Sequence, residues 1–483
     1  MTFPQIDWLA IGPELVLAVG AAAVLLLDVT LRPAFPRLGG LAAMAMAAGI
    51  GLAIWQWMAW VPAAGQPLPF GGMVVADRLA SSGRLLVLVV AALGLATGWS
   101  LLAAQGRRAA EALALMLLGT AGFSLMVSTP HLVMMFLGLE IGSLSLYLLA
   151  GFSRRERRSD EAAIKYFLLG GLASAVFIYG VSLLFAGTGH LDLGGQGHLL
   201  EGTIITTPAV IILGLALVIV GLSFKVSAAP FHSWAPDVYQ GAPAGFTGFL
   251  AASAKVGGFL ALVRILVTAF GPMSADWEPI IAVVATLSMV IGSLGAIVQD
   301  DVRRLLAYSG VAHAGFILTG VMAGGQEAAS TVWFYLAVYV VQVLGAFAVV
   351  AAVSGPESAG SPLSAYRGLS RRSPYLAATF SVLLLGMAGL PLTSGFVAKF
   401  GVFQAAWTAG FGWLVVVAVL TSVIALYLYL RVIVAMYMGE AEEDLPLPGT
   451  GSDWVPGVAV FATLLFGLLP GPLLDFASHA SPL

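Results

Sequence analysis

The sequence predicts an all-α polytopic membrane protein of about fourteen transmembrane helices. Three observations carry this. Of 483 residues, 60% are hydrophobic and 9% are charged, with a mean hydropathy of +0.98, whereas soluble domains carry roughly 25% charged residues. Apolar runs of about 20 residues recur, and they lack the period-2 alternation of a barrel strand. Nearly all arginines fall in the joins between those runs.

In chain order the apolar cores are residues 9–29, 41–60, 79–103, 112–127, 131–151, 163–186, 204–222, 246–270, 280–298, 305–322, 331–353, 377–402, 413–436 and 455–474. The segment MTFPQIDWLAIGPELVL lacks a basic n-region and reads as the lead-in to a retained first helix. Short joins at residues 103–108 and 299–303 fit antiparallel neighbours. Ser159, Asp160 and Glu161 read as an N-cap and acidic first turn of the sixth span.

Orientation follows from the arginines. Arg32 and Arg37, Arg107 and Arg108, Arg154, Arg155, Arg157 and Arg158, Arg303 and Arg304, Arg367, Arg371 and Arg372, and Arg431 all fall after odd-numbered spans. The positive-inside rule then puts both termini on the outer, periplasmic side of a cytoplasmic membrane. Arg78 and Arg84 are exceptions, placed on the outer side before the third span. The loop 187–202, with His190 and His198, falls outside, and the acidic Pro/Gly-rich loop 439–451 falls inside.

Several function classes drop out. A net charge of −3 gives no reason to expect nucleic acid. With no cysteine, disulfides, thiolate metal sites and cysteine-ligated iron–sulfur clusters are excluded. No phosphate loop and no metal or haem constellation is visible.

The chain is organised around GLSFKVSAAPFHSWAPDVYQGAPAG, residues 221–245. An apolar run leads into Lys225, and Pro230 and Pro236 then break the helix beside His232, Trp234 and Asp237. A second interruption lies in MAGLPLTSGFVAKFGVF, where Lys399 follows Pro391. The two broken helices are five spans apart and so cross in opposite directions, with their lysines on opposite sides of the breaks. That is the pattern of an inverted-topology repeat, whose broken helices carry an ion site near the midplane.

The only lysines are Lys165, Lys225, Lys255 and Lys399, and the last three lie well inside predicted spans. A charge at a helix centre costs about 2.5–3.5 kcal/mol on insertion scales, so such residues mark function. Desolvation disfavours the charged form of a buried amine, which lets it exchange protons near neutral pH. Glu140, in MMFLGLEIGSLSLYLL, is the matching acid; beside Lys225 it forms a pair whose separation can drive a proton step, or a static pair that locks packing. Lys255, among small residues, relays between Lys225 and Lys399 or snorkels to an interface. Lys165 lies within two turns of the inner end, where relay and snorkelling are balanced. His313 is mid-span and suits a proton relay, against the plain reading of a hydrogen-bonded core histidine. His232 and Asp237 flank the first break as a proton entry path, with Asp237 alternatively capping the helix that resumes. Tyr308 and Ser309 order water or simply pack.

The stretches FLGLEIGSLSLYLL, SDEAAIKYFLLGG, FKVSAAPFHSWAPDVYQGAPAG, QDDVRRLLAYSGVAHAGF and LPLTSGFVAKFGVF resemble the subunit N family of the bacterial proton-pumping NADH:quinone oxidoreductases, complex I. Its antiporter-like subunits are also similar to Mrp-type cation/proton antiporters. The resemblance covers residues 113–437, with GPELVL a looser match before it. GFVAKF carries lysine where the related subunit M usually has glutamate, and Ser145 stands where proline is common.

The resemblance implies two inverted five-helix repeats, each containing a broken helix. The divisions are then 1–108, three N-terminal spans; 109–270, the first repeat; 279–437, the second; and 438–483, the inner loop and last span. It implies Glu140 and Lys225 as the coupling pair, Lys255 as central connector, His313 on a hydrated axis and Lys399 as the terminal lysine. It also implies no cofactor on this chain. NADH, FMN, iron–sulfur clusters and quinone are expected on partners: M-like, K-like and other membrane-arm subunits, and a hydrophilic redox arm. Two other readings keep the same residues: a potential-driven cation/proton antiporter, and the pump subunit of a hydrogenase- or other dehydrogenase-linked complex.

Overall fold

The computed structural model describes residues 7–59, 69–106, 108–153, 156–202, 208–440 and 454–481. Arg107, Arg154, Arg155 and most of the acidic loop lie outside the described residues. The described chain is helical apart from two isolated backbone bridges.

The N-terminal part comprises α1 (Gly12–Thr30), α2 (Phe35–Ala59), α3 (Arg78–Thr97) and the short α4 (Trp99–Ala104). The third apolar run is thus two helices, divided at Gly98, which backs onto the Gly245 carbonyl and the Phe246 ring. Then come α5 (Arg108–Val127), α6 (Leu132–Ala150), α7 (Arg157–Thr188), α8 (Leu193–Gly202), α9 (Pro208–Lys225), α10 (Trp234–Gly241) and α11 (Ala244–Thr268). The second part holds α12 (Ser274–Ile297), α13 (Val302–Val321), α14 (Gly325–Ser354), α15 (Leu369–Arg372), α16 (Pro374–Ala388), α17 (Ser394–Thr408) and α18 (Gly412–Met438). The chain ends in α19 (Trp454–Leu468) and α20 (Gly471–Ser478).

Among the described residues, 11 helices are long and apolar enough to span a membrane, or 12 if the bent pair α19 and α20 is one span. That pair turns by 84°, where an unbroken last span was expected, because Pro470 and Pro472 interrupt the hydrogen-bond ladder. The loop 187–202, expected outside, likewise contains a helix, α8 (Leu193–Gly202). Ser159 lies inside α7 rather than at its cap, which is Glu156; the Ser159 hydroxyl donates instead to the Ala150 carbonyl at 2.8 Å. Pro236 does not break a helix. It occupies the first turn of α10, where a missing N–H costs nothing, and the interruption is confined to residues 226–233.

Helices α11 and α14 form the centre, each with 94% of its apolar window buried. Around them α6, α7 and α18 present outward apolar faces, including Leu148, Phe167, Leu172 and Val423. Close approach needs small residues: a Cβ at Gly138 would stand 2.7 Å from the Met126 backbone nitrogen, so glycine lets α5 and α6 touch.

Each bridge joins the residue before one helix to the chain after the next. Leu132 N donates to Leu191 O at 2.9 Å and Leu193 N to Pro130 O at 2.8 Å. Val302 N donates to Ser361 O and Leu363 N to Asp300 O, both at 2.8 Å.

Candidate functional site

Lys225 is the last residue of α9. The helix stops there because Ser227 takes a left-handed conformation (φ 62°) and Pro230 follows. The opened end is held from both sides: Trp234 Nε1 donates to the Phe224 carbonyl at 3.0 Å, and Ala229 N donates to Ser288 Oγ at 2.8 Å. The Lys225 ammonium, 2% exposed as a residue, donates to Ser143 Oγ of α6 at 2.7 Å. Its other neighbours are the ring faces of Phe123, Tyr147 and Tyr166, at 5.2, 5.7 and 5.6 Å.

Glu140 lies one turn before Ser143 on α6 and makes no ion pair with Lys225 among the described residues, against expectation. It accepts a hydrogen bond from Ser174 of α7 and is half-buried, on the face that exposes Leu137, Ile141 and Leu144. A cavity of about 10 Å³, at the lower limit for holding one water, is lined by Ser143, Ser174 and Lys225 among others.

Lys255 sits mid-way along α11 and is 1% exposed, so it does not snorkel. Its Nζ donates to the Val226 carbonyl at 2.6 Å and to the Gly310 carbonyl of α13 at 3.0 Å. It therefore touches the backbone beside Lys225 on one side and lies one turn from His313 on the other. His313 Nδ1 is 2.8 Å from the Tyr335 hydroxyl, and Nε2 is 3.4 Å from that of Tyr429, which is also bonded to Ser309. Lys399 of α17 lies 4.5 Å over the Phe316 ring, one turn past His313. It donates to Ala388 O at 2.9 Å, capping the last carbonyls of α16 at the second break, and reaches Ser422 Oγ at 3.5 Å. A cavity of about 410 Å³ opens beside it, lined by Pro391, Phe400 and Val423.

Glu140, Lys225, Lys255, His313 and Lys399 thus lie on five different helices, each linked to the next through a residue within one helical turn of it. Lys165 and Asp237 come together in a separate group at the far end of the first break, and no contact joins His232 to them among the described residues. Asp237 does not cap α10; its carboxylate accepts from Lys165 Nζ at 2.7 Å and from Arg304 Nη1 at 2.6 Å. Lys165 also pairs with Glu161 at 2.6 Å. His232 is half-buried beside Tyr308, ring centroids 6.0 Å apart.

Comparison with known proteins bears on this arrangement. The family model described as "NADH:quinone oxidoreductase/Mrp antiporter, TM" matches residues 129–425. A relative from Parafrankia sp. (strain EAN1pec), named NADH-quinone oxidoreductase subunit N, is 44% identical over 413 residues, 85% of this chain and 78% of its own. The chain belongs to the NADH-quinone oxidoreductase subunit N family. Another subunit N, from Salinispora arenicola (strain CNS-205), is 40% identical and covers 100% of this chain and 99% of its own. A chain of respiratory complex I from Thermus thermophilus with bound aureothin superposes with a TM-score of 0.82 at 34% identity, over 96% of this chain and 99% of that one. A chain of the Mrp complex from Dietzia sp. DQ12-45-1b reaches 0.83 at 22% identity over 98% and 97%, a likeness of fold alone.

Sequence reasoning missed several polar residues of this subunit N-family chain. Arg84 is not in an outer join. It is fully buried within α3, where Nε and Nη2 donate to Glu14 of α1 at 2.8 and 3.2 Å, and Nη1 donates to Gln56 of α2 at 2.9 Å. Arg264 of α11 makes a two-pronged bond to Asp77 at 2.6 and 2.8 Å. Both arginines interrupt apolar runs, which was the available signal. Arg304, Ser143, Ser174 and the tyrosines around His313 carried none, because their partners are distant in sequence.

Proposed function

We propose that this chain is the proton-translocating membrane-arm subunit of an NADH:quinone oxidoreductase, seated in a bacterial cytoplasmic membrane with both termini outside. Its relatives are named as subunits of that enzyme, which makes the other membrane-arm subunits, M-like and K-like chains among them, and the hydrophilic redox arm its partners. The chain itself carries out no redox step; NADH, FMN, iron–sulfur clusters and quinone belong to the partners. Redox energy reaches it as a change in field or position at Glu140, on the outward apolar face of α6.

The observation that carries the reading is the succession Glu140–Ser174, Ser143–Lys225, Val226–Lys255–Gly310, His313 and Lys399, half-buried at Glu140 and buried from Lys225 onward. Each lysine amine holds or releases one proton. When Glu140 is ionised, it favours the charged form of Lys225; when that charge is withdrawn, the proton moves on toward Lys255. Entry is from the inner side past His232 and the Asp237 cluster, and Lys399 is the last station.

The fold reading accompanies this. Fourteen spans result when α13 and the broken pair α16–α17 join the apolar set. Two inverted five-helix repeats, in 109–270 and 279–437, are supported by the matched backbone bridges: five spans lie between them, so they stand at opposite membrane faces. Each repeat has its broken helix fourth, at residues 221–245 and 377–402.

The test is purification in mild detergent through a tag on this chain, followed by NADH:quinone activity and an absorbance scan for flavin and iron–sulfur. Both signals in one large assembly are expected. An assembly lacking them that exchanges Na⁺ or K⁺ for protons would replace this reading with the antiporter.

A further inference from the structure

Among the described residues, Lys255 and Arg264 are the two side chains of α11 that hydrogen-bond to other parts of the chain. The hydroxyls of Thr247 and Ser253 turn back onto the carbonyls of Pro243 and Phe249, and Thr268 Oγ1 has no partner. Around Lys255 the helix offers Ala251, Ala252, Ala254, Gly257 and Gly258, all in close packing. Contacts between such small groups are non-directional, so they hold a helix close without fixing its rotation. Lys255 belongs to the succession described above, whereas Arg264 has no role in it.

Arg264 lies about two and a half turns beyond Lys255, which puts the two side chains on opposite faces of the helix. It is 2% exposed. Nη1 and Nη2 donate to the two carboxylate oxygens of Asp77 at 2.6 and 2.8 Å, and Nε and Nη2 donate to the Val127 carbonyl at 3.2 and 3.1 Å. Asp77 is the N-cap of α3, accepting from Ala80 N at 2.7 Å, and Val127 is the last residue of α5. One guanidinium thus gathers the start of α3, the end of α5 and the body of α11. The three helices touch there: a Cβ on Gly83 of α3 would stand 2.9 Å from Leu260 of α11 and 3.1 Å from Val127. The next residue, Ser128, reaches Glu14 through its hydroxyl at 3.4 Å, so this ion pair adjoins that of Glu14 with Arg84.

The two anchors differ in kind. Lys255 holds the Val226 and Gly310 carbonyls through charge-assisted bonds, and that assistance goes when the amine gives up its proton. The bonds of Arg264 involve no member of the succession and persist through the transfer. We propose that Arg264 is the positioning residue of Lys255: bound to Asp77 and Val127, it fixes the rotation and height of α11, so that Lys255 returns to the same two carbonyls after each transfer. The three N-terminal spans thereby take part in pumping through α3, with no residue of their own in the succession. The inference rests on the proton-transfer reading above.

The test uses the assembled complex in inverted membrane vesicles, comparing Asp77→Asn, Asp77→Glu, Arg264→Lys and Lys255→Ala. Assembly is read by flavin content and NADH oxidation with an artificial acceptor, and proton pumping is followed across the neutral pH range. Asparagine caps a helix as well as aspartate does, so Asp77→Asn keeps the start of α3 and removes only the charge. A misplacement of about 1 Å at a reacting group can cost as much as 10²-fold in rate. At unchanged assembly, the pumping rate of Asp77→Asn should therefore fall by roughly threefold or more. The pH at which pumping is half-maximal should also move, because the surroundings of Lys255 have changed. Asp77→Glu, which keeps the carboxylate, should restore most of the rate and the wild-type profile. Wild-type pumping with Asp77→Asn overturns the proposal. So does a loss that is equal at every pH, since that is a packing defect. If Asp77→Asn fails to assemble, Arg264→Lys decides by the same two readouts, because an ammonium cannot reproduce the two-pronged bond. Wild-type pumping with Lys255→Ala would instead remove the proton-transfer reading itself, a different outcome from failure of the positioning role.

Discussion

Lys225 donates its ammonium proton to Ser143 Oγ at 2.7 Å, and Glu140, its expected partner, sits one turn away on the same helix bound to Ser174. The acid and the amine thus make no direct contact: each binds a serine hydroxyl, and a small cavity is lined by both serines and the lysine. An indirect link suits a switch. A contact pair in a low-dielectric interior is hard to separate, while a hydroxyl bridge leaves the lysine responsive to charge at Glu140.

Removing that hydroxyl tests the bridge. Ser143→Ala leaves a buried ammonium without its side-chain acceptor, a loss of about 1.5–3 kcal/mol for a hydrogen bond to a charged group. The pumping rate in vesicles should drop at least threefold, with Ser143→Thr restoring most of it. An alanine variant that assembles and pumps normally would show the bond to be incidental.

Asp237 holds Lys165 of α7 and Arg304 of α13 at 2.7 and 2.6 Å, so one carboxylate ties α10 to both halves of the bundle. Asp237→Asn leaves two cations facing a neutral amide. Hydrogen exchange across residues 226–241 should quicken and coupled pumping should fall. Unchanged exchange would mean that packing around Trp234 alone secures the segment.

The Glu14–Arg84 pair should behave as a buried ion pair. Arg84 is fully buried and Glu14 nearly so. Glu14→Gln or Arg84→Met alone should destabilise by about 3–5 kcal/mol, because each strands a charge or its donors away from water. Glu14→Leu with Arg84→Met should cost less than the sum of the singles. Thermal stability of the detergent-purified complex reads this out, and strict additivity would argue that the two side chains act independently.

Gly395 is the strictest backbone requirement at the second break. A methyl there would run into the Gly386 carbonyl, whereas Gly401 on the same helix has open space. Gly395→Ala should reduce assembled complex several-fold, while Gly401→Ala should leave its amount unchanged. Equal yields from the two variants would show that α16 and α17 separate readily.

Much of the site was legible because a lysine or glutamate amid apolar residues is conspicuous in any sequence. Lys225, Lys255, Lys399 and Glu140 stand out by that alone, and His313 nearly so. Arg84 was misplaced, and the bond from Arg304 to Asp237 was missed, for the opposite reason. Arginine in a membrane protein usually marks orientation, and nothing local shows that Arg304, at the end of a join, reaches Asp237; only the apolar residues around Arg84 hinted at its burial. Pro236 was read as a breaker because proline disfavours both a helix interior and the preceding residue, yet in a first turn it is tolerated.

The sequence by itself determined the membrane class, the apolar spans, the two interrupted helices and the buried ionisable residues, since each follows from composition or spacing along a single helix. Only the tertiary structure decided which of those residues touch. That Lys225 meets Ser143 rather than Glu140 and that Lys255 bridges Val226 and Gly310 both depend on helix rotation and crossing. These are fixed by packing between segments up to hundreds of residues apart, where small residues such as Gly138 set how closely helices approach.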